Sequence, residues 1–245
     1  MSALTRCLVA LLAMQCLSAA ATEMTLCADQ LGMAPYYELK DNKVVGQLVD
    51  RAQAAAAELG ISLSIEAAPF KRCLLKTIEG EYDGILAAVY LPERAKQLAF
   101  PSAAGTGSLA GATNFAEVSM FVHKDSNISW DGEQFHNLSG AVSTPPGWWT
   151  NDFFEKRELR LPSGVSPTKG IELVALNRLS GYVIYSFYGW NEAQQLGVEK
   201  DLRAIPIPEL SHPWYIPFHK AFYQANKPSI EAFWQRCAKT EEPTL

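Results

Sequence analysis

The chain has 245 residues, and its 26 Asp and Glu side chains against 21 Lys and Arg give a formal net charge of −5. That balance excludes a generally cationic surface of the kind that binds nucleic acid. The length admits one large domain or two lobes, and six Trp, nine Tyr and eleven Phe supply a core while leaving some rings to line a cleft.

Met1 to Ala21 has one basic residue, Arg6, an apolar run from Cys7 to Leu17 and a small-residue tail, Ser18 to Ala21. It reads as a secretory signal peptide, too short in its apolar part to span a bilayer. Ala13-Met14-Gln15 before Cys16 lacks the small residue that precedes a lipid-modified cysteine. Export of a soluble protein without stable membrane insertion is therefore expected. Beyond the leader, Cys27, Cys73 and Cys237 allow at most one internal bridge, in any of three pairings, or three buried reduced thiols.

Met24 to Ala28 predicts a first strand, followed by a Gly32/Pro35 loop that ends in Tyr36 and Tyr37. Gln47 to Leu59 carries an apolar stripe at Leu48, Ala52, Ala55 and Leu59, with Gly60 placed to end the helix. Ile61 to Ala67 alternates as a strand should. Phe70, Lys71 and Arg72 open a short helix with Leu74 and Ile78 inside, stopped by Gly80. Ile85 to Val89 is a continuous apolar strand, and Pro92-Glu93-Arg94 starts the next helix at that strand's carboxyl end. Strand and helix in alternation call for a parallel sheet covered on both faces.

A second unit repeats the plan. Val118 to His123 and Leu138 to Ser143 read as strands, and a Pro145-Pro146-Gly147 break precedes a helix from about Asn151 to Leu159. Ser166 caps a helix with Pro167 at its first position, running to Leu179 and stopped by Gly181; Tyr182 to Tyr185 is the strand after it. The small-residue piece from Ser102 to Thr113 carries the chain from the first lobe to the second, and Ile205-Pro-Ile-Pro208 with Pro213 marks the return. Trp214 to His219 gives a strand and Pro228 to Lys239 a last helix with Ile230, Phe233, Trp234 and Cys237 inside. The expected units are a leader over 1–21, lobe one over 22–113 and 211–245, and lobe two over 114–210.

The segment Asp83-Gly84 to Pro92-Glu93-Arg94 resembles the signature of the bacterial extracellular solute-binding proteins of family 3, the receptors of amino-acid uptake systems. The resemblance implies an α/β, two-lobed periplasmic-binding-protein fold of type II, two parallel or mixed sheets joined by a two-crossing hinge. It implies a monomeric periplasmic protein without cofactor or metal, presenting a small ligand to an ABC-type permease or a membrane receptor. It places the helix of Cys73 over the strand of Cys27, favouring that pairing. Arg94 is the residue that the resemblance assigns to the ligand carboxylate, a bidentate contact for a guanidinium.

Two positions depart from the family pattern. Val89, Tyr90 and Leu91 stand where amino-acid binders place a serine or threonine, and Ser186 falls where the family has the Asp that takes the α-ammonium. The expected ligand is therefore a modified amino acid, a peptide fragment, or an aromatic or organic acid. Tyr36, Tyr37, Phe70, Tyr90, Trp148, Trp149 and Tyr185 collect at strand ends assigned to the cleft, and the Gly147-to-Thr150 turn offers backbone N–H groups to an anion. The rival reading is a dehydratase on the same scaffold, resembling cyclohexadienyl dehydratase, with Glu93 or Asp152 as general acid; helix capping explains both residues better. The four histidines show no metal or nucleophile spacing. Gly105-Thr-Gly107 imitates a dinucleotide fingerprint without the strand it needs.

Overall fold

The computed structural model describes residues 22–146, 148–159 and 164–238. The expected leader, Gly147 and the side chain of Asp152 lie outside the described residues. In chain order the elements are β1 (Thr22–Asp29), β2 (Glu38–Lys40), β3 (Lys43–Val45), α1 (Gln47–Glu58), β4 (Ile61–Ala68), α2 (Phe70–Glu79), β5 (Gly84–Ile85) and β6 (Ala88–Val89). Then follow α3 (Pro92–Ala95), β7 (Leu98–Ala99), β8 (Asn114–Ala116), β9 (Val118–His123), β10 (Ser129–Trp130), β11 (Phe135–His136), β12 (Val142–Ser143) and α4 (Asn151–Glu155). The rest comprises α5 (Pro167–Ala175), β13 (Gly181–Tyr185), α6 (Ser186–Leu196), β14 (Leu202–Pro206), β15 (His212–Tyr215), β16 (Phe218–His219), α7 (Lys220–Ala225) and α8 (Lys227–Cys237).

Two mixed sheets dominate. One has the order β4-β1-β5-β16-β7, with β1 parallel to β4 and β5 and with β16 antiparallel to its neighbours; the other has the order β12-β13-β9-β14. A third, three-stranded antiparallel sheet, β6-β15-β8, joins them. Met24 and Leu26 of β1, Leu48 of α1, Ile216, Phe218, and Phe233 with Trp234 of α8 form the core of the first unit. In the second, Val118, Met120, Val122, Val142 and Val183 fill one face of the sheet, and Phe121, Ile171, Val174, Tyr182 and Ile184 fill the other. The architecture is the two-lobed α/β arrangement expected.

Local chemistry accounts for many element ends. Gly80 takes a left-handed conformation, φ 81°, to close α2. Ser166 caps α5, accepting from Lys169 N at 3.4 Å, with Pro167 at the first helical position. Cys27 is bonded to Cys73, their Cα atoms 5.4 Å apart, and Cys237 is a buried free thiol pushed up to about 12 by that burial.

Several boundaries differ from expectation. The run Ile85 to Val89 divides, because β5 pairs with β1 while β6 leaves that sheet for β15. Trp214 to His219 breaks at Ile216-Pro217 for the same reason, β15 serving the joining sheet and β16 the first lobe. Helix α5 ends at Ala175, and the left-handed residue beyond it is Asn177, φ 54°. Gly181 instead starts β13 where a Cβ would stand 2.6 Å from the Met120 sulfur. Pairing shrinks Leu138 to Ser143 to the two residues of β12, and α4 stops at Glu155, with Glu158 at φ 54°. The hairpin β10–β11 and helices α6 and α7 are additions, and Leu202–Pro206 pairs with β9 as β14 before the chain returns.

Candidate functional site

The joining sheet forms the floor of the candidate site. Residues directly opposite each other in an antiparallel pair share a face, so Val89 of β6, Trp214 of β15 and Asn114 of β8 point the same way, as do His212 and Ala116. Arg94 stands over this floor on α3. Its Nη1 donates to the Val89 carbonyl at 3.0 Å, and its guanidinium lies 5.0 Å from the Phe70 ring centroid. Burial lowers the Arg94 pKa, and its interaction with Tyr185 of the other lobe opposes the shift.

The opposite wall comes from the end of β13, the start of α6 and the turn before α4. Tyr185 lies 5.2 Å from Trp214 and 4.7 Å from Trp148, and Trp149 lies 5.0 Å from His212, all between ring centroids. Phe187 meets Tyr36 edge-on at 4.7 Å, and Tyr36 meets Trp214 at 5.5 Å. Of the residues predicted from sequence, Arg94, Val89, Phe70, Tyr36, Trp148, Trp149 and Tyr185 are thus brought together around β15.

Three predicted residues are placed differently. Tyr37 is a core residue, 2% exposed, whose phenol is raised first by burial and then by Asp29, Tyr185 and Tyr188. Tyr90 turns to Phe100, 5.3 Å away, above Gly105, and lines a separate cavity of about 440 Å³ with Leu98, Lys220 and Tyr223. The Ser186 hydroxyl is held by Ser119 Oγ at 2.7 Å and by Glu117 Oε1 at 2.8 Å. Glu93, the candidate acid, is exposed and paired with Lys96 at 2.7 Å.

Asp29, Trp214, Phe187, Asn114 and His212 escaped the sequence reading. Asp29 ends β1, accepts from Leu31 N at 3.2 Å, and has its pKa raised chiefly by burial, with the backbone N–H groups of Leu31 and Phe70 opposing the shift. A carboxylate ending the first strand was a legible signal. Trp214 and His212 were not, because a strand that returns between lobes looks in sequence like any other. Burial lowers the His212 pKa.

The Tyr185 phenol is raised by burial, and the Trp149 and Trp214 indoles and Arg94 draw it back. Trp149 Nε1 nevertheless lies outside hydrogen-bond geometry, a buried donor without a partner; Asn114 Nδ2 and Thr150 Oγ1 are likewise orphaned. Such groups cost on the order of 1–3 kcal/mol each unless something binds them. Among the described residues no cluster of three His, Cys, Asp or Glu is placed to hold a metal, and no helix is long and apolar enough to cross a membrane.

Comparison with known proteins gives a consistent picture. The family described as bacterial extracellular solute-binding proteins, family 3, matches residues 27–128. A search of curated proteins by sequence finds no match. Among solved structures, a histidine kinase sensor domain with similarity to periplasmic binding proteins superposes with a TM-score of 0.69 at 13% identity, covering 89% of each chain. The arginine-bound form of truncated ArgBP from T. maritima gives 0.63 at 18% identity, over 88% of this chain and 94% of that one. A substrate-binding protein of an ABC uptake transporter from Streptococcus pneumoniae, with histidine bound, gives 0.64 at 17%, over 86% and 85%. The chain is accordingly similar to the bacterial extracellular solute-binding proteins, family 3, over residues 27–128, and it shares the two-lobed α/β fold of the solved binding proteins.

Proposed function

We propose that the protein is a non-enzymatic periplasmic receptor that captures a small carboxylate-bearing ligand between its lobes and presents the closed form to a membrane permease. The lobes divide at the joining sheet, 22–113 with 211–245 on one side and 114–210 on the other. The observation that carries this reading is Arg94, half-buried on one lobe against the Val89 carbonyl and the Phe70 ring, with Tyr185 of the other lobe in its field. A guanidinium there forks onto a carboxylate, and rings from both lobes enclose the rest of the molecule. Closure then turns binding energy into a shape that a monomer can display.

The experiment is calorimetric titration of amino acids and organic acids into wild type and Arg94→Ala. Loss of binding with an unchanged circular dichroism spectrum is expected; equal affinity in the variant removes Arg94 from the site. Delivery to a receptor kinase is the second reading, favoured by the likeness to a kinase sensor domain. Reconstituted uptake that depends on the protein supports the permease.

A further inference from the structure

We infer that the cleft selects carboxylates that lack an α-ammonium group, and that Trp149 is a specificity-determining donor in it. This rests on the reading of Arg94 as the carboxylate anchor and narrows the ligand class for the same site.

The groups converging on Tyr185 are almost all donors. An indole N–H only donates, as does a guanidinium, which offers five N–H bonds and here uses Nη1 on the Val89 carbonyl. Trp148 and Trp214 press on the Tyr185 ring at 4.7 and 5.2 Å, and Trp149 packs on His212 at 5.0 Å and draws the Tyr185 pKa down. Trp149 Nε1 is buried and unpaired, and so is Asn114 Nδ2, which the register of β8 and β15 puts on the same face as Trp214. One phenol oxygen cannot satisfy that many donors. A ligand carboxylate, with about four lone-pair sites, can.

An α-ammonium needs acceptors within about 3 Å of its three N–H bonds. At the end of β13 the Ser186 hydroxyl is shared between Ser119 and Glu117, the Glu117 carboxylate is exposed to water, and Asp29 accepts from Leu31 N in the field of Tyr37 and Tyr188. Among the described residues, a cation fixed next to a ligand carboxylate in the buried part of the site would therefore face Arg94 and indole donors, losing its water without replacement. A flat or aliphatic acid meets only rings beyond its carboxylate.

The test is a thermal-shift panel of matched pairs: 3-phenylpropanoate with L-phenylalanine, 4-methylpentanoate with L-leucine, and glutarate with L-glutamate, with calorimetry on those that shift the melt. The deaminated member of a responding pair should bind at least ten-fold tighter, and Trp149→Phe should weaken it by on the order of ten-fold, the effect of one charge-assisted hydrogen bond. Amino acids binding as tightly or tighter, or an unchanged affinity in Trp149→Phe, overturns the inference. If that amino-acid binding is lost in Arg94→Ala, the carboxylate-anchor reading stands while the selectivity falls; if no carboxylate of the panel shifts the melt, both fall.

Discussion

At the scale of single residues, Asp29 shows how the cleft is tensioned. Its carboxyl holds a proton more tightly in the folded chain than at the ordinary 3.8, because burial outweighs the N–H bonds from Leu31 and Phe70. For an acid shifted upward the sign is fixed: stability is full below about pH 3.8 and is lost as pH rises through the folded value. Asp29→Asn, which keeps an acceptor for one N–H, should therefore raise the thermal midpoint at pH 7 and remove the decline that begins above pH 3.8. A variant melting at or below wild type at pH 7 contradicts this account. Gly189 is the opposite case, a residue fixed by space. A Cβ there would meet the Phe121 ring at 2.2 Å, and Phe121 is fully buried beside Trp190. Overpacking costs about 1–3 kcal/mol, more than the roughly 1 kcal/mol that alanine gains over glycine in a helix. Gly189→Ala should lower the free energy of unfolding in urea by about 1–2 kcal/mol; a neutral result means that the ring has room to move.

At the scale of elements, legibility followed from whether the decisive forces were local. Helix α1 could be read because Leu48, Ala52 and Ala55 recur on one buried face and Gly60 follows. Helix α6 could not. It leaves β13 directly, with Tyr185 as an N-cap that makes no side-chain bond, and Ser-Phe-Tyr-Gly-Trp is a poor helical opening. Packing of Gly189 onto Phe121 and of Ala193 into the second lobe supplies what propensity lacks. The division of Ile85 to Val89 was equally invisible, since apolar character is the same whether a strand stays in one sheet or crosses to another. At the proposed site, the position of Arg94 was legible through its motif, whereas Trp214 and Phe187 gained their place only through pairing of distant strands and the contact between their rings.

At the scale of the whole molecule, the Cys27–Cys73 bond ties β1 to α2 across a sequence separation of 46 and so braces the lobe that carries Arg94. In the chain-entropy account a loop of that length contributes about 4 kcal/mol. Reduction should lower the free energy of unfolding in urea by that order and steepen the transition, because the unfolded chain without the cross-link exposes more surface. A reduced protein as stable as the oxidised one would mean that the packing of Ala68 and Tyr82 around the two cysteines suffices. The odd thiol, Cys237, is buried in the core beside Phe233 and Trp234, so gentle alkylation of the folded protein should leave it untouched.

Strand β15 has a consequence for dynamics. Trp214 is paired on one side with Val89 and on the other with Asn114, so the ring that touches Tyr185 and Phe187 belongs to the central strand of the joining sheet. In the proposed receptor axle and seat are therefore one object, and no relay of side chains has to carry news of occupancy to a remote bend. Substitutions at Trp214 that loosen grip will also change how fast the jaws swing, so affinity and gating rate will drift together under mutation.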